Sequence, residues 1–568
     1  MAVKPSLRRE LVWALGLFLT SLGVRLALVS QFPTRPVSDF AALVDLAVTL
    51  KDHGLASPDD AWHSFNAGTP TLLALIFKLG FSADAGVVAR LATMTMTALV
   101  PLLPFLMWRD VVSFRVRVFI GLLLALWPAH ILFSGVVAQD NWVLLPSVAL
   151  ASLAVRSIKG ERAHPIVAAV LWILAGYVRQ EMWLALLPLV LTAGLRRRRD
   201  LLPLALVAAA LFGLIATQRY LATGRAAVST EHFGDAFLGT TVPDVGGEWR
   251  SPAVFVTSVA ETPRSDRQKL HLAVAELARR PSHHLARILG SFVRSWSLPD
   301  RLLHWSLTAD GILPVEQKAA AARFSSLMSP IVDVPTILCN GAFLAAVIFA
   351  RRRRVVIILA AATLLKIGVH TVLVTQSRFF VVVWALELLT IAVALEDLDR
   401  GNRRRAGTLL LACTAVVGGL TWLGSEAAGF VLRQDEADIQ LIYRVPLGPL
   451  RCQIDQGRLT DFDANQLVVK LNHNNPTHGD QVRVDCVTSE HLPSLLVEAA
   501  AETRPQRIER RLFVDDILVW HQLSSFAPLS ARVELPAEQS RIRLEVEMLN
   551  DDPTWTWDPA GVTRLSKP

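Results

Sequence analysis

The stretch RRRRDLLPLALVAAALFGLIATQR, residues 196–219, decides the class of fold. A basic cluster precedes an apolar run of about 20 residues, which is the length that an α-helix needs to cross a lipid bilayer. The same pattern recurs along the 568-residue chain, which is 52% hydrophobic and has a mean hydropathy of +0.41. We therefore predict a polytopic α-helical membrane protein.

About eleven apolar blocks are long enough, or nearly long enough, to span the membrane. The two blocks within 165–195 are the shortest. The predicted spans are residues 11–30, 85–108, 118–136, 140–156, 165–178, 181–195, 201–219, 331–350, 355–375, 379–396 and 407–424.

Short clusters of basic residues lie between these blocks, and they explain the net charge of +8 better than a nucleic-acid partner does. If every cluster is cytoplasmic, the spans alternate across the membrane without conflict, as the positive-inside rule requires. The pattern predicts a bacterial inner (plasma) membrane protein with a cytoplasmic N-terminus and an extracytoplasmic C-terminal region. The clusters are 4–9, 109–117, 156–162, 196–199, 351–354 and 400–405.

The outer side of the predicted bundle carries two long loops, 31–84 and 220–330. In the first, apolar residues at helical spacing follow Ser38, which is placed as an N-cap, and Asp39 falls in the first helical turn. We expect an amphipathic helix over 36–50 at the membrane surface, and a second interfacial segment over 71–79. In the second loop we expect a helix over 266–279 and a basic, aromatic interface segment over 283–305.

From about residue 437 the pattern changes to short alternating runs separated by turn residues. This predicts two domains: a membrane domain, 1–430, and an extracytoplasmic β-sandwich, 431–568. Cys452 and Cys486 lie in the second domain, either as a disulfide or as two separate buried thiols. The predicted strands are 466–471, 481–487, 511–520, 531–535 and 542–548.

Trp555 and Trp557 alternate with threonines, so both indole rings would lie on one face of a strand. Aromatic rings on one strand face are typical of surfaces that bind sugars. A carbohydrate-binding role for this domain is therefore a hypothesis, and packing in a sandwich core is the alternative use of such tryptophans.

Four motifs occur in a fixed order, each at the predicted outer end of a span or in an outer loop. The first is Pro36-Val-Ser-Asp39 with the later stretch from Asn66 to Lys78. The others are a proline-containing turn from Leu126 to Asp140, the segment Leu174-Ala-Gly-Tyr-Val-Arg-Gln-Glu181, and Gln376-Ser-Arg-Phe-Phe380.

This set resembles the GT-C superfamily of polyprenyl-phosphate-sugar glycosyltransferases, which includes protein O-mannosyltransferases and the aminoarabinose transferase of lipid A. The resemblance covers roughly residues 8–396. The sequence departs from it at three places: Gln180 replaces the usual proline, Phe379 replaces tyrosine, and Gln139-Asp140 replaces glutamate.

The resemblance implies an inverting glycosyltransferase of cell-envelope glycan biosynthesis. It would move a hexosyl or pentosyl group from a polyprenyl phosphate to a hydroxyl of a glycan, lipid or protein acceptor. Asp39 would be the general base, with simple helix capping as its alternative role. Arg179 and Arg378 would bind the donor phosphate, with snorkelling to the interface as their alternative.

Further candidates surround these residues. Arg294 and His304 could also bind the donor phosphate. Asp140 and Glu181 could orient the acceptor, pair with Arg179, or help hold a divalent cation, Mg²⁺ or Mn²⁺. Lys366 and His370 are four residues apart and would lie on one helix face. They would either line the donor cavity or pair internally.

Two other functions fit a many-span protein with large outer loops. A polysaccharide polymerase or ligase would place its key basic residues in the late loop and would not need Asp39. A lipid-linked sugar flippase or transporter usually has internal repeats and short outer loops, and this sequence has neither.

Overall fold

The computed structural model describes the chain in segments, which are the basis of every structural statement below. They are residues 7–31, 39–58, 62, 65–79, 84–162, 164–195, 197–230, 237, 266–279, 281–294, 296, 315–350, 354–373, 377–396, 405–420, 445–447, 450–456, 458–462, 466–470, 481–488, 494–499, 508–523, 529–535, 541–549 and 563–566.

Up to residue 420, the described segments are mostly helical. The helices are α1 (Leu7–Gln31), α2 (Asp39–His53), α3 (Gly68–Phe77), α4 (Ala85–Leu99), α5 (Leu102–Met107), α6 (Phe114–Leu126), α7 (Pro128–Phe133), α8 (Gln139–Ile158), α9 (Pro165–Val178), α10 (Met182–Ala185), α11 (Leu187–Gly194), α12 (Leu201–Thr223), α13 (Asp266–Arg279), α14 (Pro281–Arg294), α15 (Val315–Phe349), α16 (Arg354–Val372), α17 (Val381–Glu396) and α18 (Arg405–Leu420).

In the described part of the chain, 6 helices are long and apolar enough to cross a membrane. The protein is therefore a multi-pass membrane protein, while the full count of about eleven spans stays a prediction. The six are Leu7–Gln31, Ala85–Met107, Gln139–Ile158, Arg198–Thr223, Pro330–Phe349 and Arg354–Val372.

The predicted span 118–136 is not one continuous helix. Pro128 begins α7, and the residue before it, Trp127, has the extended backbone (φ −62°, ψ 117°) that a following proline favours. The predicted span 181–195 is likewise divided into α10 and α11 around Leu186, two residues before Pro188. Pro128 and Pro188 thus lie near breaks in two blocks that hydropathy alone would join into single helices.

Helices α8 and α17 form the centre of the bundle, because both are buried along most of their length. They pack against each other, and α9, α11, α15 and α16 surround them. At 1.5 Å per residue, α17 is about 24 Å long and α8 about 30 Å, close to the thickness of a bilayer core.

One end of the bundle is marked by polar contacts that join α1, the loop between α5 and α6, α6 itself and the end of α17. Glu10 pairs with Arg109 and Arg117, each at 2.9 Å. Ser113, in the same loop, donates from its hydroxyl to Glu396 at 2.7 Å. The last residue of α17 therefore lies at this basic end, and the first turn of α17 lies at the opposite end.

Helices α2 and α3 are covered by protein more fully than the sequence analysis predicts. The apolar face of α2, which includes Phe40, Val44 and Leu50, is buried, and α2 packs along α3. In α3, Leu73 and Ala74 are fully buried. These two helices of the first outer loop thus pack on the bundle instead of lying only in the membrane interface.

The C-terminal part forms two antiparallel sheets. Their orders are β1-β2-β5-β10-β7-β8 and β3-β4-β11-β6-β9. The strands are β1 (Val445–Leu447), β2 (Leu450–Gln456), β3 (Arg458–Phe462), β4 (Gln466–Lys470), β5 (Gln481–Thr488), β6 (Ser494–Ala499), β7 (Ile508–Val514), β8 (Ile517–Leu523), β9 (Leu529–Glu534), β10 (Arg541–Met548) and β11 (Thr563–Ser566).

The two sheets contact each other through their interior. Buried Arg510 on β7 donates from Nε to the hydroxyl of buried Thr563 on β11, at 3.0 Å. Cys486 on β5 is disulfide-bonded, and Cys452 on β2 is its partner in the strand register. Of the two alternatives for these cysteines, the disulfide is therefore confirmed.

The single strand predicted over 511–520 is wrong. Asp515 and Asp516 have positive φ angles of 50° and 63°, so they form a tight hairpin turn between β7 and β8. A two-residue turn of this kind matches the twist of paired strands, and aspartate tolerates the left-handed conformation better than most residues.

The chain separates into two compact units. One contains residues 1–232 and 286–427, and the other contains residues 233–285 and 428–568. The functional division into a membrane domain and an extracytoplasmic domain stays a prediction.

Candidate functional site

Arg179 is the centre of a buried ion cluster. It ends α9 with an extended backbone (φ −142°, ψ 109°), in the short link to α10. Its Nε donates to Glu181 Oε1 at 2.6 Å, and its Nη1 donates to Asp140 Oδ2 at 2.8 Å. Since Asp140 lies in the first turn of α8, one guanidinium joins the start of α8 to the α9–α10 link.

Helix α16 supplies the second cation. Lys366 is fully buried and donates from Nζ to Glu181 Oε1 at 2.8 Å. One turn later, His370 Nε2 lies 3.6 Å from the same oxygen. Spacing of four residues puts both side chains on one helix face, as the sequence predicts. Lys366 thus pairs with Glu181, and a role of Lys366 and His370 in lining a donor cavity stays a prediction.

Phe379 packs against both the guanidinium and the imidazole of this cluster. Arg179 Cζ lies 4.5 Å from the centre of the Phe379 ring, and the His370 ring stacks on it at 4.6 Å with an interplanar angle of 23°. A cation over an aromatic face gains electrostatic attraction. In the sequence, Phe379 stands out only as a departure from tyrosine, and no local pattern indicates this contact.

The first motif contacts the second and third motifs at two points near this cluster. Asn66 and Gln139 exchange long hydrogen bonds of 3.5 and 3.4 Å. Gly68 lies so close to α9 that a Cβ atom there would be 2.6 Å from the carbonyl oxygen of Tyr177. Only glycine permits this approach without moving backbone.

A short polar network stabilises the Gly68 junction. Tyr177 shares a hydrogen bond of 2.7 Å with Thr71 and donates to Gln218 at 2.5 Å. Gln218 in turn donates to the carbonyl of Leu55 at 2.7 Å. These contacts hold α3 and α12 against the C-terminal end of α9, directly before Arg179.

The proline turn of the second motif meets the start of α17. Buried His130 has its Nε2 2.9 Å from the carbonyl oxygen of Val381. Val381 directly follows the 3₁₀ turn Ser377–Phe380, which carries Arg378 and Phe379. The cluster therefore lies at the end of α17 opposite Glu396 and the basic loops.

The formal charges of the paired groups cancel, since two carboxylates face one guanidinium and one ammonium group. Burial lowers the pKa of Arg179, but the carboxylates of Asp140 and Glu181 outweigh burial and raise that pKa above its ordinary value. Arg179 is thus positively charged throughout the physiological range. A substrate that brings further negative charge requires a cation beyond these four groups.

The described residues do not fit a divalent cation. Within the segments given above, no group of three or more His, Cys, Asp or Glu side chains is arranged to hold a metal ion. Asp140 and Glu181 each accept a hydrogen bond from Arg179, and Lys366 also binds Glu181. Carboxylates already neutralised in this way are poor additional ligands for Mg²⁺ or Mn²⁺.

Several predicted site residues are placed only in part. Asp39 is the first residue of α2, Arg378 lies in the 3₁₀ turn, and Arg294 ends α14, but their side chains are outside the described set. His304, Trp555 and Trp557 lie outside the described residues altogether. Their roles stay predictions.

No protein-family profile matches the chain, and a search of curated proteins finds no match either. Among solved structures, the chain is similar to the oligosaccharyltransferase AglB from Archaeoglobus fulgidus in complex with an inhibitory peptide and a dolichol-phosphate. Identity is 13%, with 74% of this chain and 56% of that chain covered and a TM-score of 0.35.

A second structure is an oligosaccharyltransferase of the same organism in complex with Zn and sulfate, with 15% identity, 72% and 53% coverage and a TM-score of 0.35. The chain spans a little over half of the length of each. At this level of similarity no residue roles can be transferred from them.

Proposed function

We propose that this protein is an inverting glycosyltransferase that moves a hexose or pentose from a polyprenyl phosphate to an acceptor hydroxyl. The acceptor is a glycan, a lipid or a protein at the extracytoplasmic face of the membrane. The reacting groups lie at the end of the bundle that carries Arg179 and the start of α17.

One observation carries this proposal. Four motifs that are far apart in sequence converge at one end of the bundle, through Asn66 with Gln139, Gly68 with α9, Arg179 with Asp140, and Arg179 with Phe379. Each of these motifs resembles a motif of the lipid-phosphate-dependent transferases. Their convergence supports a shared role in one site.

In the proposed reaction, the Asp39 carboxylate takes the proton of the acceptor hydroxyl. The acceptor oxygen then forms a bond to the anomeric carbon of the sugar, on the face opposite the phosphate. The bond between that carbon and the phosphate oxygen breaks, and its electron pair leaves with polyprenyl phosphate. General base assistance of this kind contributes about 10²–10⁴-fold to a rate.

The leaving phosphate gains one negative charge as the glycosidic bond breaks. Since the described ion cluster is already balanced, we assign the stabilisation of this charge chiefly to Arg378, with Arg179 as a second donor. Arg378 is adjacent to Phe379, on whose ring the Arg179 guanidinium lies. Guanidinium groups suit phosphate because their planar N–H donors bind it in bidentate fashion.

In this proposal the basic end, with Arg109 and Arg117, is cytoplasmic, and the end with Arg179 is extracytoplasmic. The salt bridges of Glu10 place the N-terminal helix at the same end as Arg109 and Arg117, which supports that orientation. The C-terminal β-sandwich is extracytoplasmic in the same proposal.

The test is transfer of radiolabelled sugar by the purified full chain from a panel of polyprenyl-phosphate sugars. Asp39→Asn removes the proposed base with little change in shape, and Asp45→Asn is the matched control on the same helix, where Asp45 is exposed. We expect one donor to be used, with activity lost in Asp39→Asn and retained in Asp45→Asn.

Equal activity of Asp39→Asn and wild type would show that Asp39 only caps α2. Absence of transfer or hydrolysis with every donor would overturn the proposed function. Polymerisation of a preformed lipid-linked oligosaccharide by the same preparation would favour a polysaccharide polymerase instead.

A further inference from the structure

Gln180 is a partly buried residue that the proposed reaction has not used. It stands between Arg179 and Glu181, the two members of the ion cluster that belong to the α9–α10 link. Its Oε1 accepts hydrogen bonds from Thr230, over 3.1 Å from the backbone nitrogen and 3.5 Å from the hydroxyl. One side chain therefore joins the α9–α10 link to the segment that follows α12.

The α9–α10 link is a tight turn. The backbone N–H of Met182 donates to the carbonyl of Arg179 at 2.9 Å, so residues 179–182 form a four-residue turn with Gln180 at its second position. Arg179, at the first position, has the extended backbone described above. Glu181, at the third position, has φ −64° and ψ −17°. The placement of both Arg179 and Glu181 thus depends on the conformation of this one turn.

The residues of this turn do not fix its conformation by themselves. Proline is favoured at the second position of such a turn, because its ring presets φ near the value that the turn needs. A proline there also favours an extended conformation in the residue before it. Gln180 has neither effect. A contact from outside the turn is therefore needed to hold it in one conformation.

The segment after α12 is a firm anchor for that contact. Thr230 is only 5% exposed. Two residues earlier, Val228 packs against a hydrophobic cluster that includes Ile173 on α9 and Ile215 on α12. The N–H group of a buried residue is seldom without a partner, and losing the partner is unfavourable. The bond from Thr230 to Gln180 therefore resists opening.

We propose that Gln180 is a positioning residue for Arg179. Through Thr230 it fixes the turn 179–182, and the turn holds the Arg179 guanidinium over the Phe379 ring. The inference rests on the proposed function where it concerns catalysis. A guanidinium displaced by about 1 Å stabilises the leaving phosphate less well, and a displacement of that size can slow a reaction by about a hundredfold.

Two substitutions separate the turn from its anchor. Gln180→Ala removes the bond to Thr230 and leaves the turn without support. Gln180→Pro also removes that bond, but it restrains the turn from within. The backbone N–H that proline deletes makes no hydrogen bond with the part of the backbone that the structure describes. Ser229→Ala is the matched control, because Ser229 is an exposed neighbour of Thr230.

The first measurement is amide hydrogen exchange of the purified full chain, resolved to single residues, which does not depend on catalysis. We expect the Thr230 amide to exchange about tenfold faster in both Gln180 variants than in wild type, because its acceptor is lost. The Met182 amide closes the turn. It should exchange faster in Gln180→Ala and return to the wild-type rate in Gln180→Pro.

The second measurement is kcat per folded molecule, with the donor that wild type uses. We expect kcat of Gln180→Ala to fall by about ten- to a hundredfold, with a smaller change in KM, because Arg179 acts on charge that develops in the transition state. Gln180→Pro should recover most of this loss, and Ser229→Ala should match wild type. A purely structural role of Gln180 would lower the unfolding midpoint of Gln180→Ala and leave kcat unchanged.

Three results overturn the inference: an unchanged Thr230 amide in Gln180→Ala, a wild-type kcat in Gln180→Ala, or a Gln180→Pro variant as impaired as Gln180→Ala. The two proposals fail separately. If wild type transfers no sugar from any donor, the proposed function is refuted, and exchange of the Thr230 and Met182 amides alone decides this inference. If wild type transfers sugar and the variants behave like it, only this inference is refuted.

Discussion

Replacing Glu181 with glutamine is expected to destabilise the bundle strongly, because it leaves a buried ammonium group unpaired. Lys366 is 0% exposed, and Glu181 Oε1 at 2.8 Å is its carboxylate partner. Breaking a buried pair by removing one partner costs about 3–5 kcal/mol. Arg179 is affected less, since it keeps its hydrogen bond to Asp140.

A double-mutant cycle makes this prediction specific. Lys366→Met removes the buried ammonium, while Glu181 keeps Arg179 at 2.6 Å. The double variant Glu181→Gln/Lys366→Met should therefore be more stable than Glu181→Gln alone, with a coupling energy of about 1–3 kcal/mol.

Unfolding in mixed micelles, followed by far-ultraviolet circular dichroism, measures these differences. Glu161→Gln is the matched control, because Glu161 is 37% exposed and lies 3.6 Å from Arg156. A pair of this kind contributes about 0–1 kcal/mol. The description of this buried cluster would be refuted if the effects of the two cluster substitutions on the unfolding free energy were additive. It would also be refuted if Glu181→Gln lowered that free energy no more than Glu161→Gln does.

Two further predictions concern backbone packing and the C-terminal unit. Gly68→Ala should lower the free energy of unfolding by about 1–3 kcal/mol, because the new Cβ atom would meet the Tyr177 backbone. Gly213→Ala is the control, because a Cβ atom at position 213 has no neighbouring atom within 4 Å. It should be close to neutral in the same unfolding assay. Cys486→Ser should destabilise the β-sandwich by about 2–4 kcal/mol, because the disulfide is lost. The unfolding midpoint of the sheets should be lowered in the variant and, to the same extent, in reduced wild type. A wild-type midpoint that does not change with reductant would contradict this prediction.

The sequence predicts the helices well where hydropathy is the dominant signal. Apolar blocks must be helical in a bilayer, because no water is present to bind the backbone. Strands β4 and β10 agree with their predicted runs within one residue. Strands are also predictable from a simple pattern, because side chains along a strand point alternately to its two faces. The strand predicted over 511–520 failed because the Asp515-Asp516 turn interrupts an otherwise strand-like pattern.

The site was predictable as a set of positions and only partly as a set of contacts, since pairing with Arg179 was one of three roles predicted for Asp140 and Glu181. The motifs indicate that Asp140, Arg179 and Glu181 lie near one end of the bundle. They cannot show that Lys366, 185 residues away, binds Glu181, because that pairing depends on how α16 packs. The bond from Thr230 to Gln180 was hidden for a similar reason, because it depends on how the segment after α12 packs against α9.

The central claim is that sugar leaves a lipid phosphate with inversion at its anomeric carbon. The most direct measurement is analysis of both products of one reaction by the purified chain, with the lipid quantified by mass spectrometry and the anomeric configuration determined by nuclear magnetic resonance. We predict one polyprenyl phosphate released for each sugar transferred, and a product whose anomeric configuration is opposite to that of the donor. Retention of configuration, or a lipid product other than the polyprenyl monophosphate, would contradict the proposed reaction.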